Sequence, residues 1–248
     1  MTTCFIADLH LGPQRPDITA AFLTFLERPQ RPFQKLYILG DLFDAWLGDD
    51  DTSEFAQTIQ RALAAVSQRG VEVYFIAGNR DFMVGERWAK ACGITLLNDS
   101  TTIDLYGTPT LIMHGDTLCS DDLGYQRYRK IIQHPWVKGL LGSLPLRLRM
   151  AIANKLRQQS SGQVRHHNVY SLRKLDAVHQ TVVQNMQQAG VTQLIHGHTH
   201  RPAIHTFALA SGAIGQRIVL GDWYQQSSVL YVDDTGPRLV ANPLPAHH

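Results

Sequence analysis

Thiols are scarce in this chain. Its 248 residues include three cysteines, Cys4, Cys92 and Cys119, too few and too scattered for a zinc ribbon or a disulfide framework. Long apolar runs are missing too: no stretch approaches the roughly 18 uninterrupted apolar residues of a membrane span. The start MTTCFIADLH has neither a basic n-region nor a cleavage site, so the expectation is a reduced, cytosolic protein. Disorder is excluded by composition, with 44% hydrophobic and 18% charged residues. The length allows a single large core, and we expect one domain over 1–248.

One absence is local. Between Leu123 and Leu175 there is no Asp or Glu, while eleven Lys and Arg fall there. The net charge of +2 therefore sums a segment of +11 with a body of −9, an asymmetry that points to an anionic partner for one part of the chain.

What is present is a series of short apolar runs, each ending in a small residue and a polar cluster. Five stand out: Cys4 to Ala7 before Asp8-Leu9-His10, Leu36 to Leu39 before Gly40-Asp41, Val73 to Ala77 before Gly78-Asn79-Arg80-Asp81, Leu111 to Met113 before His114-Gly115-Asp116, and Leu194-Ile195 before His196-Gly197-His198-Thr199-His200. They read as buried strands with their polar residues at one end. Asp17 to Glu27 reads as a helix, and so does the stretch opened by Thr52-Ser53-Glu54 and stopped by Gly70. Strand, helix, strand alternation predicts an α/β fold whose site gathers beyond the carboxyl ends of the strands. Further strands are expected at Thr102–Leu105, Thr110–Met113, Ile204–Ala208, Gln216–Leu220 and Ser228–Val232, giving a mixed, two-sheet core. The region from about Tyr125 to Ser161 breaks the rhythm and reads as a helical insertion or lid.

Folding would bring Asp8, His10, Asp41, Asn79, His114, His196 and His198 along one edge. Carboxylate, amide and imidazole ligands without thiolate suit Mn²⁺, Fe²⁺ or Zn²⁺ in an open site. Seven ligands exceed one ion's need; with a bridging carboxylate they serve two ions about 3.5–4 Å apart, an arrangement suited to phosphoryl displacement. Taken singly, each residue has an ordinary structural reading, and Gly40-Asp41 alone is good turn chemistry. Their conjunction, in order, matches D-x-H, G-D, G-N-x-D/H, H-G and G-H-x-H and resembles the calcineurin-like metallophosphoesterases.

That resemblance implies a four-layer α/β/β/α sandwich and a dinuclear centre. One metal would be held by Asp8, His10, Asp41 and His198, the other by Asp41, Asn79, His114 and His196. Narrower strings, Ile38 to Asp50, Gly78 to Phe82, His114 to Cys119, His196 to Pro202 and Leu220 to Trp223, resemble the UDP-2,3-diacylglucosamine hydrolase family nearly end to end. The implied activity is the Mn²⁺-dependent hydrolysis, with two ions per chain, of the UDP-2,3-diacylglucosamine pyrophosphate in lipid A biosynthesis. Water attacks the α-phosphorus to give UMP and 2,3-diacylglucosamine 1-phosphate. The implied setting is a peripheral monomer on the cytoplasmic face of the inner membrane. Catalytic roles fall to Asp41, His114 and Arg80, whose guanidinium fork suits a phosphate; the competing reading of Arg80 is an ion pair with Asp81 or Asp44. Substrate contacts carry over to Asn79, Arg80, Asp122, Ser160 and His196, with Tyr125 beside the lid. The family's usual lysine after the serine is replaced by Arg165-His166-His167-Asn168, where His167 is favoured and Arg165 is the alternative. His200 is either an outer partner of the metals or a loop-fixing residue.

The insertion, about 123–165, interleaves its cations with Tyr125, Tyr128, Ile131, Trp136, Leu140 and other apolar residues. Such a mixture suits an anionic lipid and an anionic membrane surface. Packing of the apolar residues onto the core is one competing reading; a nucleic-acid groove, which would make the chain a nuclease, is another. We expect the lipid and no nucleic-acid partner. A soluble nucleotide-sugar or ADP-ribose pyrophosphatase is the alternative enzyme, and a metal-free binding scaffold the non-enzymatic one.

Overall fold

The computed structural model describes residues 1–153, 155 and 176–244. The first sheet has the order β11-β10-β1-β2-β3-β4 and the second the order β5-β6-β7-β9-β8. In the first, β1 (Thr3–Ile6), β2 (Lys35–Leu39), β3 (Glu72–Ile76) and β4 (Ile94–Leu96) run parallel, and β10 (Gln226–Asp233) joins β1 antiparallel and pairs with β11 (Gly236–Pro243). In the second, β6 (Thr108–Met113), β7 (Gln193–His196) and β9 (Ile214–Val219) are parallel, flanked by antiparallel β5 (Ser100–Leu105) and β8 (Ala203–Ala208).

Strand alternation builds the layers. Cys4 and Ile6 face one way and pack with Ile18 and Phe22 of α1 (Pro16–Glu27), and with Ile59 and Leu63 of α2 (Glu54–Gln68); Trp88 of α3 (Glu86–Cys92) joins the same cluster. Phe5 and Ala7 face the other way, with Tyr37, Leu39 and Ile76, against Ile112, Ile195 and Ile218 of the second sheet. On the far side Leu111, Met113 and Leu194 pack with Val182 and Met186 of α6 (His179–Ala189). The result is the expected α/β/β/α sandwich. The strand-end clusters of β1, β2, β3, β6 and β7 all emerge at the same edge.

Local chemistry explains the boundaries. The Ser53 hydroxyl accepts from the N–H of Ala56 and caps α2. Tyr106 (φ 55°) and Gly107 (φ 85°) make the β5–β6 hairpin with both central residues left-handed, the geometry that matches strand twist.

After β6 the chain leaves the sandwich for α4 (Leu123–Ile132), α5 (Pro135–Ser143) and further helix at 146–153. Neither α4 nor α5 buries a residue, and Trp136 is 84% exposed. The apolar side chains there do not form part of the core. Nor do all its cations face outward: Arg129 bonds to Asp116 and Asp99, and Arg149 is buried against Leu47 and Asp50. Among the described residues no helix is long and apolar enough to cross a membrane. Ser160, Arg165 and His167, and the end of the expected insertion, lie outside the described residues.

Candidate metal centre

Six non-glycine residues among those described have positive φ, and five belong to the strand-end clusters: Asp8 (55°), His10 (51°), Asp41 (52°), His198 (66°) and His200 (55°). A left-handed non-glycine residue costs on the order of 1–3 kcal/mol, with Asp and His among the types that tolerate it best. The surrounding structure over-determines these turns. Asp8 N–H donates to the Gly40 carbonyl (3.1 Å) and His10 N–H to that of Asp41 (3.0 Å). The buried carboxylate of Asp81 accepts from Gly78 (2.7 Å), Leu42 (2.7 Å) and Asp41 (3.2 Å) N–H groups, pinning the β2 and β3 ends together.

The motif glycines are there because the ligand side chains need the room. A Cβ on Gly78 would fall on the Asp41 carboxylate, and one on Gly197 on that of Asp8.

Two clusters result, each with ligand atoms within 4.8 Å of one another: Asp8, His10 and His200, and Asp8, Asp41 and His114. His200 Nε2 lies 3.4 Å from Asp8 Oδ1 and 3.3 Å from His10 Nε2. Asp41 lies centrally, with Oδ2 3.9 Å from His10 Nδ1 and Oδ1 3.8 Å from His114 Nε2. His114 Nδ1 donates to the Leu39 carbonyl (2.9 Å), which turns its Nε2 toward Asn79 Oδ1 (3.0 Å) and His198 Nδ1 (3.2 Å).

The three histidines at and after the end of β7 lie around the same acids. His196 is fully buried; its Nδ1 bonds to the Gly197 carbonyl at 2.8 Å and its Nε2 has no hydrogen-bond partner. His198 lies 3.2 Å from His114 Nε2 through Nδ1, and its backbone N–H donates to Asp8 Oδ2 at 2.7 Å. His200 also lies beside Asp8 and His10. His198 and His200 lie beyond the strand, where their left-handed backbone turns them toward the acids.

Electrostatics mark the same residues. Burial pushes His10 and His198 down to about 3 and His196 to about 4, so these rings are neutral and offer lone pairs at pH 7. Burial works to raise Asp8, but His200, His114 and His10 outweigh it and hold it at about 2. Burial pushes Asp41 up to about 7. For His114 and His200 burial works downward, yet Asp41 and Asp8 raise the first to about 9, and Asp222 and Asp8 raise the second to about 10. The acids thus draw positive charge to the histidine of each cluster, as a bound cation would supply it. Buried His10 Nδ1 and His196 Nε2 have no hydrogen-bond partner, an arrangement that costs about 1–3 kcal/mol per group and that coordination would relieve. The donor set fits divalent metal ions.

The calcineurin-like phosphoesterase profile matches residues 1–202. The UDP-2,3-diacylglucosamine hydrolase of Edwardsiella ictaluri is 49% identical over 247 residues, covering 100% of this chain and 93% of that protein. Those of Vibrio parahaemolyticus (48%; 98% and 99% covered) and Aeromonas salmonicida (49%; 99% and 95% covered) are similarly close. The chain belongs to the UDP-2,3-diacylglucosamine hydrolase family of calcineurin-like phosphoesterases. It is therefore a hydrolase with a metallophosphoesterase fold, and its strand-end cluster is a candidate metal site.

At the mouth of the cluster, Arg80 is about one-third exposed; Nη1 pairs with Asp44 at 2.7 Å and Nε lies 3.8 Å from Asp41. Asp122 caps α4, accepting from the Tyr125 N–H at 2.9 Å. The Tyr125 hydroxyl donates to Asp116 (2.6 Å), and its ring lies 6.1 Å from that of His198, so the start of the insertion touches the metal centre. Asp116, three-way partner of Tyr125, Arg129 and the Thr117 N–H, had no role in the sequence reading. Its place in His114-Gly115-Asp116, before the first acid-free helix, was the available signal.

Proposed function

We propose that this chain hydrolyses the pyrophosphate of UDP-2,3-diacylglucosamine, giving UMP and 2,3-diacylglucosamine 1-phosphate. Two Mn²⁺ ions would be held, one by Asp8, His10, Asp41 and His198, the other by Asp41, Asn79, His114 and His196. The observation that carries the reading is the pair of largely buried acid–histidine clusters sharing Asp8, beside the half-buried Arg80 guanidinium and an exposed apolar, basic helical segment. The names of the relatives support the substrate.

Bound ions would supply Lewis acidity at the phosphate and lower the pKa of water toward about 7. The remaining work falls to the chain. Arg80 presents its fork to two oxygens of the attacked phosphate and stabilises charge as it develops there, with Asp44 fixing its direction. Asn79 orients the same group. A new bond forms between water oxygen and the α-phosphorus; the bond from that phosphorus to the bridging oxygen breaks, and the electron pair leaves with the sugar phosphate.

In this proposal α4, α5 and the 146–153 helix form a lid. Exposed Leu123, Ile131, Trp136 and Leu140 meet acyl chains, while exposed Arg127, Lys130 and Arg147 meet phosphates of the substrate and of the cytoplasmic leaflet. Each such cation contributes about 1 kcal/mol near an anionic membrane, enough for reversible peripheral attachment of a single-domain monomer.

A panel of UDP-sugars with and without acyl chains, assayed with Mn²⁺, tests the reading. UMP release from the acylated substrate alone is expected; equal cleavage of UDP-glucose would favour a soluble nucleotide-sugar hydrolase. In ¹⁸O-water the label should enter UMP, and label confined to the lipid phosphate would refute attack at the α-phosphorus.

A further inference from the structure

Apolar packing does not hold α4 against the body, since none of its residues is buried. Polar links do, and most of them converge on Asp116, which is 3% exposed in the single helical turn after His114-Gly115. Asp116 Oδ2 accepts from the Tyr125 hydroxyl at 2.6 Å and from Arg129 Nε at 2.5 Å. Its Oδ1 accepts from the Thr117 N–H at 3.0 Å, which fixes the carboxylate to its own turn. The Gln126 amide donates to the carbonyls of Asp116 (2.9 Å) and Cys119 (3.1 Å), and Arg129 reaches Asp99, just before β5, through Nη2 at 2.9 Å.

One buried oxygen therefore takes two side chains four residues apart, which in a helix lie on one face, one turn above the other. Two such points fix the rotation of a helix about its axis as well as its place. With Tyr125, Gln126 and Arg129 turned to the body, Leu123, Arg127, Lys130 and Ile131 fall on the opposite face, and all four are exposed. We infer that Asp116 is a positioning residue for the lipid part of the substrate: by fixing the rotation of α4 it holds the Tyr125 ring beside His198 and presents Leu123 and Ile131 to the acyl chains. The inference rests on the acylated-substrate reading above. The Asp116 carboxylate is committed to α4 and to its own turn, so its loss weakens capture of long acyl chains and leaves the chemical step in place.

The test uses Asp116→Asn in the full-length chain, which keeps the shape and one acceptor oxygen but removes the charge that pairs with Arg129. Amides of α4 should exchange with deuterium about tenfold faster or more, with those of β6 and β7 unchanged; unchanged exchange in α4 would overturn the inference whatever the substrate. Kinetics with UDP-2,3-diacylglucosamine bearing hexanoyl or decanoyl chains read the consequence. In the wild type, KM should be about tenfold lower or more for decanoyl, since each buried methylene adds affinity. In Asp116→Asn that advantage should shrink to about threefold, with kcat within about threefold of wild type. Tyr125→Phe, which cuts one of the two links, should shift KM in the same direction, and the double variant should match Asp116→Asn within about twofold. Equal chain-length dependence in wild type and Asp116→Asn would overturn the inference. So would a fall in kcat with Mn²⁺ affinity weakened more than about fivefold, which would assign Asp116 to the metal centre. A wild-type chain that releases no UMP from either substrate would refute the acylated-substrate reading, and the exchange result would still decide whether Asp116 holds α4.

Discussion

At the strand ends the acids and histidines are buried or half-buried and five of them hold a left-handed backbone; from 123 to 153 no described residue has positive φ, and α4 and α5 bury nothing. The two regions face different chemical tasks. A displacement at phosphorus needs groups placed to within about half an ångström, so its side chains are locked by core packing and by carboxylates such as Asp81. Contact with fluid acyl chains needs area rather than exact placement, so exposed Trp136 and Leu140 on short helices suffice. The strained backbone costs stability, and the large intersheet core offsets it.

The sharpest way to test that contrast is to strike the strained region. Asp41→Ala should lower kcat by about 10³-fold or more, while circular dichroism stays native, because the carboxylate faces both clusters and supports none of the core. Arg80→Ala should lower kcat by roughly 10²-fold with a smaller change in KM, the pattern of a group that acts mainly as charge develops. If Arg80→Ala raised KM alone, its role would be substrate capture.

These two residues were legible in the sequence, and the reason is physical. Ligands at the ends of apolar strands leave a double signature, a burial pattern and a glycine that clears space, so G-D and G-N could be read without coordinates. The same applies to the layers, since strand alternation predicts which face meets a helix. The place of His200 was not legible. It turns on where β7 ends and on two left-handed residues after it, and spacing alone carries neither. Nor could composition show that Arg129 and Arg149, two of eleven cations, point inward as structural partners. A short strand such as β4 and the final β11 carry little hydrophobic run of their own and become strands by pairing with β3 and β10.

The exposed region answers to a different measurement. The double substitution Trp136→Ser with Leu140→Ser removes no buried contact, so unfolding stability should stay within about 0.5 kcal/mol of wild type. Burial of one such side chain against an acyl chain is worth about 1.5–3 kcal/mol, so kcat/KM for the acylated substrate should fall about 10–100-fold. A matching fall with a UDP-sugar lacking acyl chains would break the contrast, because the helices would then be shaping the catalytic centre rather than holding lipid.

Arg149 is where the two regions are joined, and its replacement should have the smallest effect of the set. It is 4% exposed and bonds to the Leu47 carbonyl, the Asp50 carboxylate and, through Nε at 3.0 Å, the Leu144 carbonyl. Leu47 and Asp50 follow β2 and Leu144 follows α5, so one side chain ties the insertion to the body. Asp50 is 48% exposed, so its ionic share is screened, and most of the loss in Arg149→Met comes from two carbonyls that must find water. We expect about 1–2 kcal/mol, or roughly 2–8 °C in Tm, with the catalytic cluster unaffected. Turnover of the acylated substrate should then fall about threefold through KM, since a looser insertion presents Trp136 and Leu140 less often, while kcat holds. A fall in kcat instead, matching the drop in Tm, would mean that Arg149 transmits order to the loop carrying Asp41, and that the rigid centre depends on the exposed helices after all.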